Sequence, residues 1–133
     1  MTDITTNECA RQIQFAGELR TFTLNDPQIL AAIAGGTDLR NLPLLMKFGG
    51  RPPLTGKYGD TPAACLKRFL QTEYSVSDIE NVITLGLIGG GMSADEAFDL
   101  VKTHVTGKPL SANALIASEV VSALFVGAPS EAA

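Results

Sequence analysis

Cysteine is scarce: the 133 residues hold only Cys9 and Cys65. Two thiols so far apart make neither a disulfide framework nor a zinc site, so both are read as reduced. Positive charge is also short. Ten Lys and Arg against fourteen Asp and Glu leave a net charge of −4. That is the wrong sign for a chain whose main ligand is a nucleic-acid backbone, where phosphates must be neutralised. No apolar run approaches the length of a membrane span, and the opening MTDITTNE lacks the basic start and apolar stretch of a secretory signal. These shortages predict a soluble cytoplasmic protein that engages neither membrane nor nucleic acid.

Candidate chemistry is thin. His104 is the single histidine; near a helix C-terminus its protonated ring is favourable in itself, and no motif supplies the nucleophile and orienting carboxylate that a general base needs. Asp95, Glu96 and Asp99 lack the calcium-loop pattern and read as a solvated helix face. Tyr58 and Tyr74 form no stacking series for single strands. TGKYGDT fails as a phosphate loop, because Arg51 stands where glycine is required and Tyr58 where Ser or Thr is required. The expectation is a protein without catalytic residues, metal or cofactor.

What the chain has in excess is apolar surface. Apolar residues make up 45% and the mean hydropathy is +0.18, which leaves some of that surface for a partner or a second copy. The length suits one domain with a real core. Six of the ten basic residues, Arg40, Lys47, Arg51, Lys57, Lys67 and Arg68, fall in one central stretch. They read first as solvated surface and second as a dock for an acidic partner.

Residues 11–24, RQIQFAGELRTFTL, alternate on either side of Ala16, Gly17 and Glu18, which predicts a β-hairpin with one buried face. Asp26 and Pro27 open a short helix ending at Gly35 and Gly36. Prolines 43, 52 and 53 interrupt the stretch 37–60, with residues 49–60 a loop. Thr61 and Pro62 start a helix running to about Tyr74. Ser77 with Glu80 fits a capping box for the next, which carries Ile79, Val82, Ile83 and Leu87 on one face.

LIGGGMSADEAF, residues 87–98, raises the question of a phosphate cradle. A dinucleotide fingerprint follows a strand, whereas an amphipathic helical pattern precedes these glycines, and the acidic residues after them repel an anion. Gly89, Gly90 and Gly91 read instead as a helix stop and linker, with positive φ expected there. Ser93 and Glu96 form a capping box for a helix holding Ala97, Phe98 and Val101. A last helix, 111–126, contains Leu115, Ile116, Val120, Val121, Leu124 and Phe125 with Glu119 its only charge. Such a helix is either central to the core or partly a partner's surface. The whole reads as α+β, mostly helical: a hairpin packed on about five helices. Residues 1–10 are expected to be flexible and 11–127 one domain (hairpin 11–24, helices and long loop 26–74, helical core 77–127), with 128–133 a frayed tail.

The run from Ile79 to Gly127 resembles the gene-transfer-agent and phage tail assembly chaperone family, also labelled as a tail tube protein. Its distinctive part is LGLIGGGMSADEA, residues 85–97, followed by Pro109, Leu110 and the closing helix. The hairpin agrees with that family's opening, while LNDPQILAAIAGG and FGGRPPLTGKYGDT intervene before the shared core. The resemblance implies a non-enzymatic protein of the bacterial host cytoplasm that coats the tape-measure protein, a long helical client, during tail assembly. The alternative is a structural tail component, a tube or terminator subunit. On the first reading Leu115, Ile116, Val120, Leu124 and Phe125 are the candidates for client or self contact, with Phe98 and Val101 as core behind them.

Overall fold

The computed structural model describes residues 9–34 and 42–126. Two strands and six helices lie within them: β1 (Arg11–Phe15), β2 (Glu18–Phe22), α1 (Pro27–Ala34), α2 (Leu42–Lys47), α3 (Pro62–Leu70), α4 (Val76–Gly89), α5 (Ala94–His104) and α6 (Leu110–Val126). The class is the α+β, mostly helical one expected. Residues 1–8, Gly35, Gly36, Arg40 and the tail 128–133 lie outside the described residues. The helix beyond the anticipated five is α2. Pro43 sits in its first turn, where a missing N–H costs nothing, so it opens this helix rather than breaking it.

β1 and β2 form an antiparallel pair in which Arg11 lies opposite Phe22, Ile13 opposite Arg20 and Phe15 opposite Glu18. Ala16 (φ 55°) and Gly17 (φ 85°) both take left-handed backbone, as a tight two-residue hairpin turn requires. Arg20 folds back over this turn and donates from Nε to the Phe15 carbonyl at 2.8 Å. Phe15 and Phe22 are buried, their rings edge to face at 5.9 Å.

Helix starts follow local chemistry. Asp26 Oδ1 accepts from the Gln28 N–H at 2.9 Å, and Thr61 Oγ1 accepts from the Ala64 N–H at 3.1 Å. The capping box expected at Ser77 and Glu80 forms two residues earlier. Ser75 Oγ accepts from the Asp78 N–H at 3.0 Å while Asp78 Oδ2 accepts from the Ser75 N–H at 2.9 Å. Asp78 prevails because a second partner already fixes its carboxylate, as described below. Ser93 caps α5, accepting from the Glu96 N–H at 3.2 Å, which is the serine half of the capping box expected there. α3 stops at Leu70 rather than near Tyr74: Thr72 turns left-handed (φ 58°), and the Glu73 N–H closes on the Arg68 carbonyl at 2.7 Å.

α4 is the centre of the fold, packed against β2, α1, α5 and α6, with Ile79, Val82, Ile83, Leu85 and Leu87 buried. α6 packs on α3, α4 and β1. These elements cover its side bearing Ala114, Ala117, Val120, Val121 and Ala123, while Leu115, Phe125 and Val126 stay exposed.

The glycine run ends α4 and links it to α5 as expected, but positive φ accounts for only one of the three. Gly89 ends α4 and Gly90 caps it at φ −82°, so of the three only Gly91 (φ 113°) needs left-handed backbone. The other two are small because the hairpin lies on them. A Cβ on Gly89 would stand 2.0 Å from the Thr23 carbonyl oxygen, and one on Gly90 the same 2.0 Å from that of Thr21. The Thr23 N–H also donates to the Gly86 carbonyl at 3.1 Å, tying the chain just past β2 to α4.

Candidate functional site

α6 projects the side chains expected to meet a partner, and the fold separates them. Leu115 is 73% exposed and Phe125 49% exposed, whereas Ile116 and Leu124 are half-buried against the core. Val120 is 1% exposed and faces α4, its Cγ1 standing where a Cβ on Gly86 would make a 3.1 Å contact. It belongs to the core, because the α4 side of α6 is its most enclosed side. Val101 is buried as expected, and Phe98 packs beside Phe48 with ring centroids 5.1 Å apart.

Beside Leu115 a groove of about 340 Å³ runs between the end of α3 and α6. One wall is the Phe69–Tyr74 stack, centroids 5.0 Å apart and planes 19° from parallel. Small residues, Ser111, Ala114 and Ser118, form the other. Its lining carries no charge, so the groove suits an apolar side chain or a short apolar helix face.

A second cleft, about 470 Å³, opens between the loop after α2 and helices α4 and α5. Lys47, Arg51 and Lys102 line it together with Glu80 and Asp99, so the signs are mixed. Lys47 pairs with Asp95 and lies 5.5 Å from the Phe98 ring centre.

Among the described residues, the basic side chains read from the sequence are divided between this cleft, the fold's interior and the loop before α3. Arg68 departs furthest from a solvated charge, being 1% exposed. Its Nε donates to Asp78 Oδ2 at 2.8 Å and its Nη2 to Asp78 Oδ1 at 2.7 Å, a two-pronged pair inside the fold. The remaining N–H groups reach the carbonyls of Leu54, Lys57 and Gly59, so one guanidinium pins the loop between α2 and α3. Asp78 holds its positive charge firmly, through direct hydrogen bonds first. Gly56 has no side chain because Arg68 occupies the space, a Cβ there falling 2.8 Å from its Cζ. The sequence carried one signal of this: Arg68 sits on the same helical stripe as Ala64, Cys65 and Phe69.

On the outside of this loop Tyr58 takes left-handed backbone (φ 74°) and donates its hydroxyl to Glu73, which also receives Lys57 at 2.7 Å. These hydrogen bonds lower the Glu73 pKa and raise those of Lys57 and Tyr58. Lys67 stands 4.2 Å over the Tyr58 ring. Cys65 is buried, and desolvation first, with the Asp78 charge adding, pushes its thiol up to about 12, far from a nucleophile's range. His104 is exposed with its ring edge against Phe15 at 6.0 Å. Among the described residues no cluster of His, Cys, Asp and Glu could hold a metal ion, and no helix is long and apolar enough to cross a membrane.

The site is thus a set of surfaces, and the comparisons name its setting. Residues 9–127 match the family model described as phage tail tube protein, GTA-gp10. The chain belongs to this family. The match takes in the hairpin and the stretch between α1 and α3 as well as the glycine-rich core, so the whole described fold is a GTA-gp10 family fold. No curated protein and no solved structure matches the chain at a significant level.

Proposed function

We propose that the chain is a structural component of a phage or gene-transfer-agent tail, a tube-associated subunit working through protein contacts, without catalysis or cofactor. The observation that supports this most is the family match over residues 9–127, whose description is that of a tail tube protein. Its assembly belongs to the cytoplasm of the bacterial host. The exposed Leu115 and Phe125 and the uncharged groove beside Leu115 are the surfaces offered to neighbouring subunits. Mass spectrometry of purified particles tests the reading: the chain is expected at the abundance of a repeated subunit, and its absence there overturns it.

A second reading, an assembly chaperone on the tape-measure protein, is favoured by one feature. Among the described residues the sheet has two strands, and the end of α4 stands against β2 at Thr21 and Thr23, whereas rings built by strand pairing need an open edge on both sides of each subunit. On this reading the uncharged groove takes apolar side chains from a helical client. A tagged copy that recovers the tape-measure protein from lysate, while purified particles lack the chain, would select it.

A further inference from the structure

We infer that the outer edge of β1 pairs with β1 of a second copy of this chain, joining two hairpins into one continuous sheet across a two-fold axis. A two-residue turn makes Phe15 and Glu18 exchange both main-chain hydrogen bonds, and the register then makes Ile13–Arg20 and Arg11–Phe22 the other bonded pairs. The N–H and C=O groups of Gln12 and Gln14 consequently point out of the hairpin on the β1 side, and those of Leu19 and Thr21 on the β2 side. On the β2 side α4 stands against the end of the strand, through the Thr23 bond to Gly86 and the close approach of Thr21 and Thr23 to Gly90 and Gly89, which leaves only the exposed Leu19 end open. On the β1 side the main-chain groups of Gln12 and Gln14 meet no partner among the described residues, and both side chains are exposed.

An open edge recruits strands unless something protects it. RQIQF carries no proline, lysine or bulge, and its single charge, Arg11, stands at its very start. The strand also complements itself. With the axis through Ile13, Gln12 of each copy faces Gln14 of the other and both pairs exchange main-chain hydrogen bonds, while Ile13 meets Ile13. Arg11 of each copy faces Phe15 of the other, whose cross-strand neighbour is Glu18. Each cation thus falls one strand away from the other copy's carboxylate, and no like charges oppose. Apolar area adjoins the edge: Cys9 Sγ approaches the Leu124 carbonyl at 3.8 Å, which sets the last turn of α6, with exposed Phe125 and Val126, beside the start of β1. Because the two-fold pairing uses the β1 edge of both copies and α4 obstructs β2 at Thr21 and Thr23, pairing stops at two copies.

The inference holds on either reading of function, since particle composition and oligomeric state are separate measurements. Its test is sedimentation of the full chain across concentrations, with circular dichroism to establish folding. Wild type is expected to approach twice 14.0 kDa as concentration rises. Gln12→Lys with Gln14→Lys places like charges opposite each other twice and is expected to weaken the dimer about tenfold. Gln12→Glu with Gln14→Lys places opposite charges there and is expected to restore it. A wild type that stays monomeric up to about 1 mM overturns the proposal, and so does a dimer indifferent to the two lysines. Should the double-lysine chain not fold, Gln14→Pro removes one outward N–H and no hairpin bond, and the same two outcomes decide.

Discussion

Arg68 shows how much one side chain can carry when every donor it owns is used. Removing it leaves the buried Asp78 without its counter-ion, so Arg68→Ala is expected to cost about 3–5 kcal/mol in urea unfolding. Arg68→Lys is expected to recover little, since a point charge cannot span Asp78 and the carbonyls of Leu54, Lys57 and Gly59 together. Lys47→Ala, at an exposed pair with Asp95, should change stability by no more than about 0.5 kcal/mol in the same assay. Glycine positions divide in the same way. Gly89→Ala drives a methyl into the Thr23 carbonyl and is expected to destabilise by about 1–3 kcal/mol, with faster amide exchange at Thr23.

At the scale of elements, α6 separates core from surface within a few residues. Val120→Asp places a charge against α4 and should prevent folding, whereas Leu115→Asp, at a 73% exposed position, should melt within a few degrees of wild type. If the groove is an interface, Leu115→Asp also abolishes incorporation into particles while the protein stays folded. The hairpin, α5 and the caps at Asp26, Thr61 and Ser93 were legible in the sequence, because alternation, turn residues and capping side chains act over a few neighbouring positions. What was not legible depends on distant partners. The period of α6 cannot distinguish enclosure by three elements from a waiting client, so Val120 read like Leu115. The glycines at the end of α4 were legible as a helix stop and linker, but nothing local reveals that the hairpin also lies across two of them. Arg68 read as solvated because Asp78 comes from the next helix. The location of the candidate site was only partly legible, since the groove beside Leu115 needs the Phe69–Tyr74 stack, which sequence spacing does not announce.

For the molecule as a whole, Cys65 is a built-in reporter of unfolding. Its thiol is raised from 9.0 to about 12 by burial, so the folded chain holds that proton more tightly than the unfolded one. Its contribution is fully present below pH 9 and is lost as pH climbs toward 12, so urea midpoints should fall across that range. In Cys65→Ala that slope should flatten, and in wild type at pH 8 a thiol reagent should modify Cys65 only at the rate of global opening. The contact of β1 with α6 carries a consequence for synthesis. The hairpin is complete by Phe22, yet part of the cover for its apolar face begins at Leu110. At about 5–20 residues per second, ribosomes leave Phe15 and Phe22 without that cover for roughly 5–20 seconds. During that interval the open strand edge is on display, so neighbouring nascent chains on one message can find each other before either has finished folding.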